Sequence, residues 1–133
     1  MYAAARGFVT ATMPNVVVIG AQWGDEGKGG AVDRLASECD VVARFNGGDN
    51  AGHTINIGDQ VFKLHLVPSG ILQPHVVCIM GNGMVVNPVS LLREIDELAA
   101  LGIDVSPGRL MLSDRAHIVT PAHIALDAAQ EKA

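Results

Sequence analysis

Residues 23–30, WGDEGKGG, place two adjacent acids and a lysine in a glycine-rich stretch directly after the apolar run 15–20. Glycine-rich turns between a strand and a helix bind phosphate through free backbone N–H groups and the helix dipole. Carboxylates repel phosphate, so Asp25 and Glu26 are unexpected in a loop that only binds an anion. They become useful if a divalent cation stands between carboxylate and phosphate, or if one of them takes a proton from a nearby substrate. Both roles fit an enzyme that transfers a phosphoryl group.

The standard nucleotide-binding fingerprints do not match this loop. A Walker A motif needs a glycine and a Ser or Thr at positions that hold Gln22 and Gly29 here. The dinucleotide fingerprint G-x-G-x-x-G fails at Val32. For the strand, loop and helix pattern alone, a tight turn without a ligand stays open as the alternative.

A second loop, residues 44–55 (RFNGGDNAGHTI), also collects glycines and polar side chains after an apolar run. Loops that leave the carboxyl ends of neighbouring parallel strands converge on the ligand crevice of an α/β sheet. We therefore expect His53 to lie near phosphates bound by the first loop. The other histidines lack such a neighbourhood and are predicted to be packed or solvated bystanders: His65, His75, His117 and His123.

The elements that must position these loops alternate between strands and helices. Apolar runs predict buried strands of a parallel sheet at 15–20 and 76–80, a further strand at 40–45 and a short strand at 109–113. Helices are predicted after the first loop, over 87–102 and from Pro121 onward, and Gly58-Asp59 predicts the turn of a hairpin. The fold class predicted is α/β, a mostly parallel sheet with flanking helices.

The helix over 87–102 has the clearest local signals. Asn87 suits the N-cap, Pro88 the first helical position and Gly102 the exit. Its apolar stripe is predicted to comprise Leu91, Leu92, Ile95, Leu98 and Ala99.

Length and composition exclude several function classes. The 133 residues carry a net charge of -5 without a basic patch, so nucleic acid is not an expected partner. No apolar run approaches the ~18 residues needed to span a membrane, and we expect a cytoplasmic protein. Cys39 and Cys78 form no C-x-x-C pair and are predicted to be reduced core thiols.

The two ends of the chain differ from its middle. Residues 1–12 carry no fold signal and are predicted to be an extension. The helical pattern from Pro121 reaches Ala133 without a glycine exit or a closing strand. We therefore expect 13–133 to be the first part of a larger α/β domain.

Four segments together resemble the amino-terminal portion of the adenylosuccinate synthetase family: GAQWGDEGKG, NGGDNAGHT, KLHLVPSGIL and GNGMVVNPVSL. The resemblance runs from about Pro14 to Lys132. It implies a P-loop-like, GTP-dependent ligase fold, here truncated, from a longer homodimeric enzyme. That family condenses IMP with L-aspartate at the expense of GTP, giving adenylosuccinate on the AMP branch of purine nucleotide biosynthesis.

The resemblance also implies residue roles. Asp25 matches the general base that removes the N1 proton of IMP, and His53 matches the general acid for formation of 6-phosphoryl-IMP. Mg²⁺ is implied to bind Asp25 and the Gly52 carbonyl. The positions implied to contact GTP or its phosphates are Gly24, Asp25, Glu26, Gly27, Lys28, Gly29, Gly30, Gly52, His53 and Thr54. Those implied to contact IMP are Asp25, Glu26, Gly27, Lys28, Asn50, Ala51, Gly52 and His53.

The chain departs from the family pattern at two positions. Gly30 stands where members usually carry a second lysine, and Asn46 where they usually carry glutamine. The family's guanine-recognition and aspartate-binding segments come later in its sequence, so we expect the isolated 133-residue chain to be inactive. A truncated, non-catalytic nucleotide- or phosphate-binding remnant is therefore the alternative function.

Overall fold

One long strand, β4 (Val77–Val86), organises a parallel sheet. The computed structural model describes residues 15–20, 28–50, 52–57 and 60–131. β4 lies between β1 (Val41–Gly47) and β5 (Leu110–Leu112), and β6 (His117–Ile118) pairs with its last residues. All of these pairings are parallel. The remaining elements are α1 (Lys28–Ala36), β2 (His53–Ile57), β3 (Gln60–Leu64), a 3-10 turn (Ser69–Leu72), α2 (Pro88–Ala100) and α3 (Pro121–Gln130).

The predicted α/β class is therefore confirmed, together with three of its predicted parallel strands and its three helices. The strands predicted at 40–45, 76–80 and 109–113 correspond to β1, β4 and β5. β4 is longer than predicted and continues through the glycine-containing residues 81–86.

The buried strand predicted at 15–20 is wrong. These residues have no regular secondary structure, and Val17 and Ile19 are 74% and 72% exposed. A β-branched run forms a buried strand only when neighbouring strands satisfy its backbone and other layers cover its faces. No strand among the described residues pairs with this segment.

The predicted hairpin is confirmed. β2 and β3 pair antiparallel, with His53 opposite Leu64 and Ile57 opposite Gln60. This register leaves a two-residue connection, as predicted, although Gly58 and Asp59 themselves lie outside the described residues.

The core lies between β4, α2 and the segment that follows β3. Its buried apolar cluster comprises Leu64, Leu66, Val67, Ile71, Val76, Cys78, Met80, Met84, Val86, Leu91 and Leu98. The capping of α2 is as predicted, because the Asn87 side chain accepts a hydrogen bond from the Val89 N–H at 3.0 Å and Gly102 has a φ of +81°.

The predicted apolar stripe of α2 needs correction. Leu92 is 60% exposed and Ala99 is also exposed, whereas Glu94 is only 5% exposed. Leu91, Glu94 and Leu98 form the buried face, at the i, i+3 and i+7 spacing of one helix side. A carboxylate thus occupies a core position, and its partners are described below.

Both cysteines are free, as predicted. Cys78 is buried on β4, and burial raises the pKa of its thiol to about 12, against a smaller opposing effect of Arg109. Cys39 is half-buried. Within the described residues, no helix is both long enough and apolar enough to cross a membrane.

Gly83 allows β1 and β4 to approach each other beside a bulge in β4. The pairing register shifts between Arg44 and Asn46, and a Cβ on Gly83 would lie 2.5 Å from the Phe45 carbonyl oxygen. Because backbone atoms would have to move, we expect Gly83→Ala to lower the free energy of unfolding by about 1–3 kcal/mol, measured by urea titration. Gly108→Ala is the control, since a Cβ there meets nothing within 4 Å. Equal stabilities of the two variants would contradict this packing.

Candidate functional site

The first predicted loop leads into α1. Lys28, Gly29 and Gly30 are the first described residues of this helix. The dipole of a helix favours an anion near its N-terminus. The preceding site residues of this loop lie outside the described residues: Gly24, Asp25, Glu26 and Gly27. Ala51 of the second loop also lies outside them.

The second predicted loop connects β1 to β2. Gly47 ends β1, Asn50 lies in a turn, and Gly52 leads into His53, the first residue of β2. Thr54 follows in β2, opposite Lys63 of β3. α1 contacts β2, so the structure brings the helix that starts at Lys28 against the strand that starts at His53. The elements carrying the two motifs are neighbours, and the roles of their residues stay predictions.

Gly47 has a conformation that glycine alone adopts readily. Its φ is +100°, in the left-handed region, and a Cβ there would lie 3.0 Å from Nη2 of Arg44. Gly47 thus permits both the sharp change of direction at the end of β1 and the close approach of the Arg44 guanidinium.

Arg44 is half-buried and donates hydrogen bonds to several backbone carbonyls. Nη2 donates to Gly48 at 2.9 Å, and Nη1 donates to Leu66 at 3.2 Å and also to His65. Nε donates to the carbonyl of Asn46 at 3.3 Å. Burial lowers the pKa of Arg44, and the negative charge of Glu94 acts in the opposite direction.

Glu94 binds the same segment, residues 65–67, but it accepts hydrogen bonds from the backbone N–H groups of these residues. Oε1 accepts from His65 at 2.8 Å and from Val67 at 3.2 Å, and Oε2 accepts from Leu66 at 2.8 Å. These charge-assisted bonds compensate for burying a carboxylate on the core face of α2.

His65, predicted to be a packed or solvated bystander, is packed, and it packs on the second loop. A Cβ on Gly52 would lie 2.6 Å from Cε1 of the His65 ring, so the imidazole packs directly on this glycine. The pairing of β2 with β3 causes this contact, because His53 lies opposite Leu64 and the chain neighbours of this pair are brought together.

Arg44 and Glu94 were not among the predicted site residues, although the sequence contains a signal for each of them. Arg44 interrupts an apolar strand, and Glu94 shares a helical face with Leu91 and Leu98. A charged residue in a position that the periodicity marks as buried needs partners. Here those partners are backbone groups, which no side-chain pattern identifies.

The predicted Mg²⁺ ligands are a carboxylate and a carbonyl oxygen, Asp25 and Gly52. Gly52 lies in the loop before β2, and Asp25 lies outside the described residues. The described part of the chain contains no group of three or more His, Cys, Asp or Glu side chains that could hold a metal ion. Hard oxygen ligands in small number nevertheless suit Mg²⁺, which takes its other ligands from phosphate and water. The donor set therefore fits a cation bound together with nucleotide.

An open apolar groove of about 630 Å³ lies between residues 15–18, α1 and β1. Its lining includes Val32, Leu35 and Phe45 and none of the predicted site residues that the structure describes. The charged side chains of this lining, Glu38 and Asp40, are acidic and would repel phosphate, so they do not form the predicted phosphate site.

Several known proteins have similar sequences. Residues 17–133 match the family model described as adenylosuccinate synthetase. The chain is 56% identical over 119 residues to an adenylosuccinate synthetase of Nitratidesulfovibrio vulgaris and 57% identical over 120 residues to one of Moorella thermoacetica. Each match covers 90% of this chain and 28% of the relative.

A solved structure has a similar fold. The fully ligated adenylosuccinate synthetase from Plasmodium falciparum superimposes with a TM-score of 0.74 at 45% sequence identity. The match covers 85% of this chain and 26% of that one. Since the family model matches most of the sequence, the chain belongs to the adenylosuccinate synthetase family, and it spans about 28% of the length of the relatives it matches.

Proposed function

We propose that this chain supplies the phosphate-binding loop and the general acid and base of a longer enzyme, which ligates IMP and L-aspartate to adenylosuccinate at the expense of GTP. The observation that carries the proposal is the contact between α1, which includes Lys28–Gly30, and β2, which starts at His53. Family membership supplies the reaction to which this arrangement is assigned.

The chemistry divides between the two loops. Asp25 removes the proton from N1 of IMP, and the 6-oxygen then attacks the γ-phosphorus of GTP. The bond to the β–γ bridging oxygen breaks, which gives 6-phosphoryl-IMP and GDP, and His53 stabilises the charge that develops on the transferred group. The amine of L-aspartate next displaces phosphate from C6.

The remaining residues bind and orient the substrates. The first turn of α1 and Lys28 neutralise phosphate charge, while Asn50 and Ala51 contact IMP. Asp25 and the Gly52 carbonyl would hold Mg²⁺, which offsets phosphate charge when it is bound. A homodimer in the cytoplasm is part of the same proposal for the longer enzyme.

The test is a chimaera in which residues 1–133 are joined to the remaining sequence of the Moorella thermoacetica relative. We expect this chimaera to form adenylosuccinate from IMP, GTP and aspartate, followed spectrophotometrically. The isolated 133-residue chain is expected to form none, because the guanine and aspartate segments are missing. A folded chimaera without activity would overturn the proposal.

A non-catalytic remnant that binds nucleotide or phosphate is the second candidate. The glycine at position 30, where family members usually carry a second lysine, favours it. The nucleotide sequence downstream of codon 133 distinguishes the two. An open frame that continues the family pattern supports the enzyme, and an immediate stop supports the remnant.

The role of Asp25 can be separated from that of its neighbour. Because Asp25, and not Glu26, is proposed to reach Mg²⁺, we expect Asp25→Asn to weaken Mg²⁺-dependent GTP binding to the chimaera more than Glu26→Gln does. Calorimetric titrations with and without Mg²⁺ measure both effects. If Glu26→Gln were the more damaging change, the two roles would have to be exchanged.

Gly30 is exposed, and a Cβ there meets no atom of the described residues within 4 Å, which leaves room for a lysine. A charge-assisted contact with phosphate contributes about 1.5–3 kcal/mol. We therefore expect Gly30→Lys to raise kcat/KM of the chimaera at least about tenfold. Gly108→Lys adds the same charge at another open position and is expected to leave kcat/KM unchanged. Rates within about twofold of the parent would show that position 30 makes no phosphate contact.

A further inference from the structure

The glycine-rich loop from Gly47 to His53 is held at both ends by contacts that converge on Arg44. We propose that Arg44 is a positioning residue for this loop: its guanidinium fixes the loop's first residues and the segment on which its last residues pack, and so orients His53. The functional consequence rests on the proposed function, whereas the positioning itself can be tested without activity.

At the first end, Arg44 contacts the loop directly. Nη2 donates to the Gly48 carbonyl at 2.9 Å and lies 3.0 Å from the position that a Cβ on Gly47 would take. The loop therefore leaves β1 by folding around the guanidinium.

At the other end, Arg44 acts through the segment after β3. Nη1 donates to the carbonyls of His65 and Leu66, and the His65 ring packs on Gly52. Gly52 directly precedes His53, so a shift of His65 would displace the start of β2 as well.

Glu94 restrains the same segment from its N–H side. Its carboxylate accepts from the N–H groups of His65, Leu66 and Val67, while Arg44 donates to the carbonyls of His65 and Leu66. The backbone here is therefore fixed by two buried or half-buried groups of opposite charge. Arginine suits this role better than lysine because its rigid planar fork can bind several acceptors at once.

Arg109 provides a matched control. It also donates to several backbone carbonyls: Ile71 at 3.0 Å, Gln73 at 2.9 Å, Val76 at 2.8 Å, and Pro74. These groups belong to the 3-10 turn and its exit, and not to the loop before His53. Loss of the Arg109 contacts should therefore affect stability without altering the IMP site.

The kinetic test compares Arg44→Lys and Arg109→Lys in the chimaera. We expect Arg44→Lys to raise KM for IMP about tenfold and to lower kcat about tenfold, because small displacements of a catalytic group are costly. KM for L-aspartate is expected to change less than about twofold. Simple loss of folded protein lowers the apparent kcat but leaves both KM values unchanged, and this is the result expected for Arg109→Lys.

Hydrogen exchange of the 133-residue chain gives the activity-free readout. We expect Arg44→Lys to accelerate amide exchange in residues 47–54 about tenfold, and Arg109→Lys to accelerate it only around residues 71–76. Glu94→Gln keeps the side-chain shape and removes the charge, so it serves as a second variant with the same expected direction as Arg44→Lys. If neither Arg44→Lys nor Glu94→Gln altered exchange in 47–54, the positioning role would be overturned.

The two proposals fail separately. An inactive parent chimaera would overturn the proposed function, and hydrogen exchange would still decide the positioning role. An active parent whose KM for IMP is the same after Arg44→Lys would overturn the orientation of His53 alone.

Discussion

We expect His53→Asn to lower kcat of the chimaera by about 10²- to 10⁴-fold, the usual contribution of a general acid or base. Asparagine can still form hydrogen bonds at the start of β2 but cannot donate a proton near neutral pH. His53 follows Gly52, on which the His65 ring packs, and it pairs with Leu64 of β3. The substitution should therefore remove the chemistry and leave the hairpin intact. Steady-state rates at saturating IMP, GTP and aspartate measure the effect.

The control for this prediction is His75→Asn, which changes an exposed histidine in the turn before β4. We expect its kcat to stay within about twofold of the parent. The His53 variant should in addition lose the limb of the pH–rate profile that belongs to the general acid. A kcat for His53→Asn within about threefold of the parent would exclude His53 as the acid.

The second large effect is on folding. We expect Glu94→Ala to lower the free energy of unfolding by about 3–5 kcal/mol, because it leaves buried partners of a charged group uncompensated. Glu94 is 5% exposed and accepts from the N–H groups of His65, Leu66 and Val67. Removing the carboxylate leaves all three donors without their acceptor and creates a cavity on the core face of α2.

Urea titration of the 133-residue chain measures this loss. Glu97→Ala is the matched control, since Glu97 lies on the exposed side of the same helix. The change there is expected to stay within about 0.5 kcal/mol. A stability loss below about 1 kcal/mol for Glu94→Ala would mean that water replaces the carboxylate at no great cost.

Much of the fold could be predicted because its signals are local. The cap of α2, its first proline and its left-handed exit at Gly102 depend on atoms within one or two turns of the chain. The hairpin of β2 and β3 likewise follows from a short turn between two apolar runs. Such features need no knowledge of distant partners, so the residue types themselves specify them.

The predicted strand at 15–20 failed for the opposite reason. Its residues have strong β propensity, yet Val17 and Ile19 are exposed and no described strand pairs with them. Propensity describes how well a side chain suits a sheet. The hydrogen bonds that hold a buried strand come from neighbouring strands, which lie elsewhere in the sequence.

The sequence by itself predicted the family and the local elements. Asp25, Lys28 and His53 stand in two glycine-rich motifs, and the resemblance of these motifs to the family supplies the roles proposed for them. Tertiary structure alone decided how the second loop is supported. Arg44 and Glu94 meet the segment after β3 across 21 to 29 residues of sequence. Both bind main-chain groups, which every residue except proline carries in the same form, so the residue types at positions 65–67 cannot reveal that they are held.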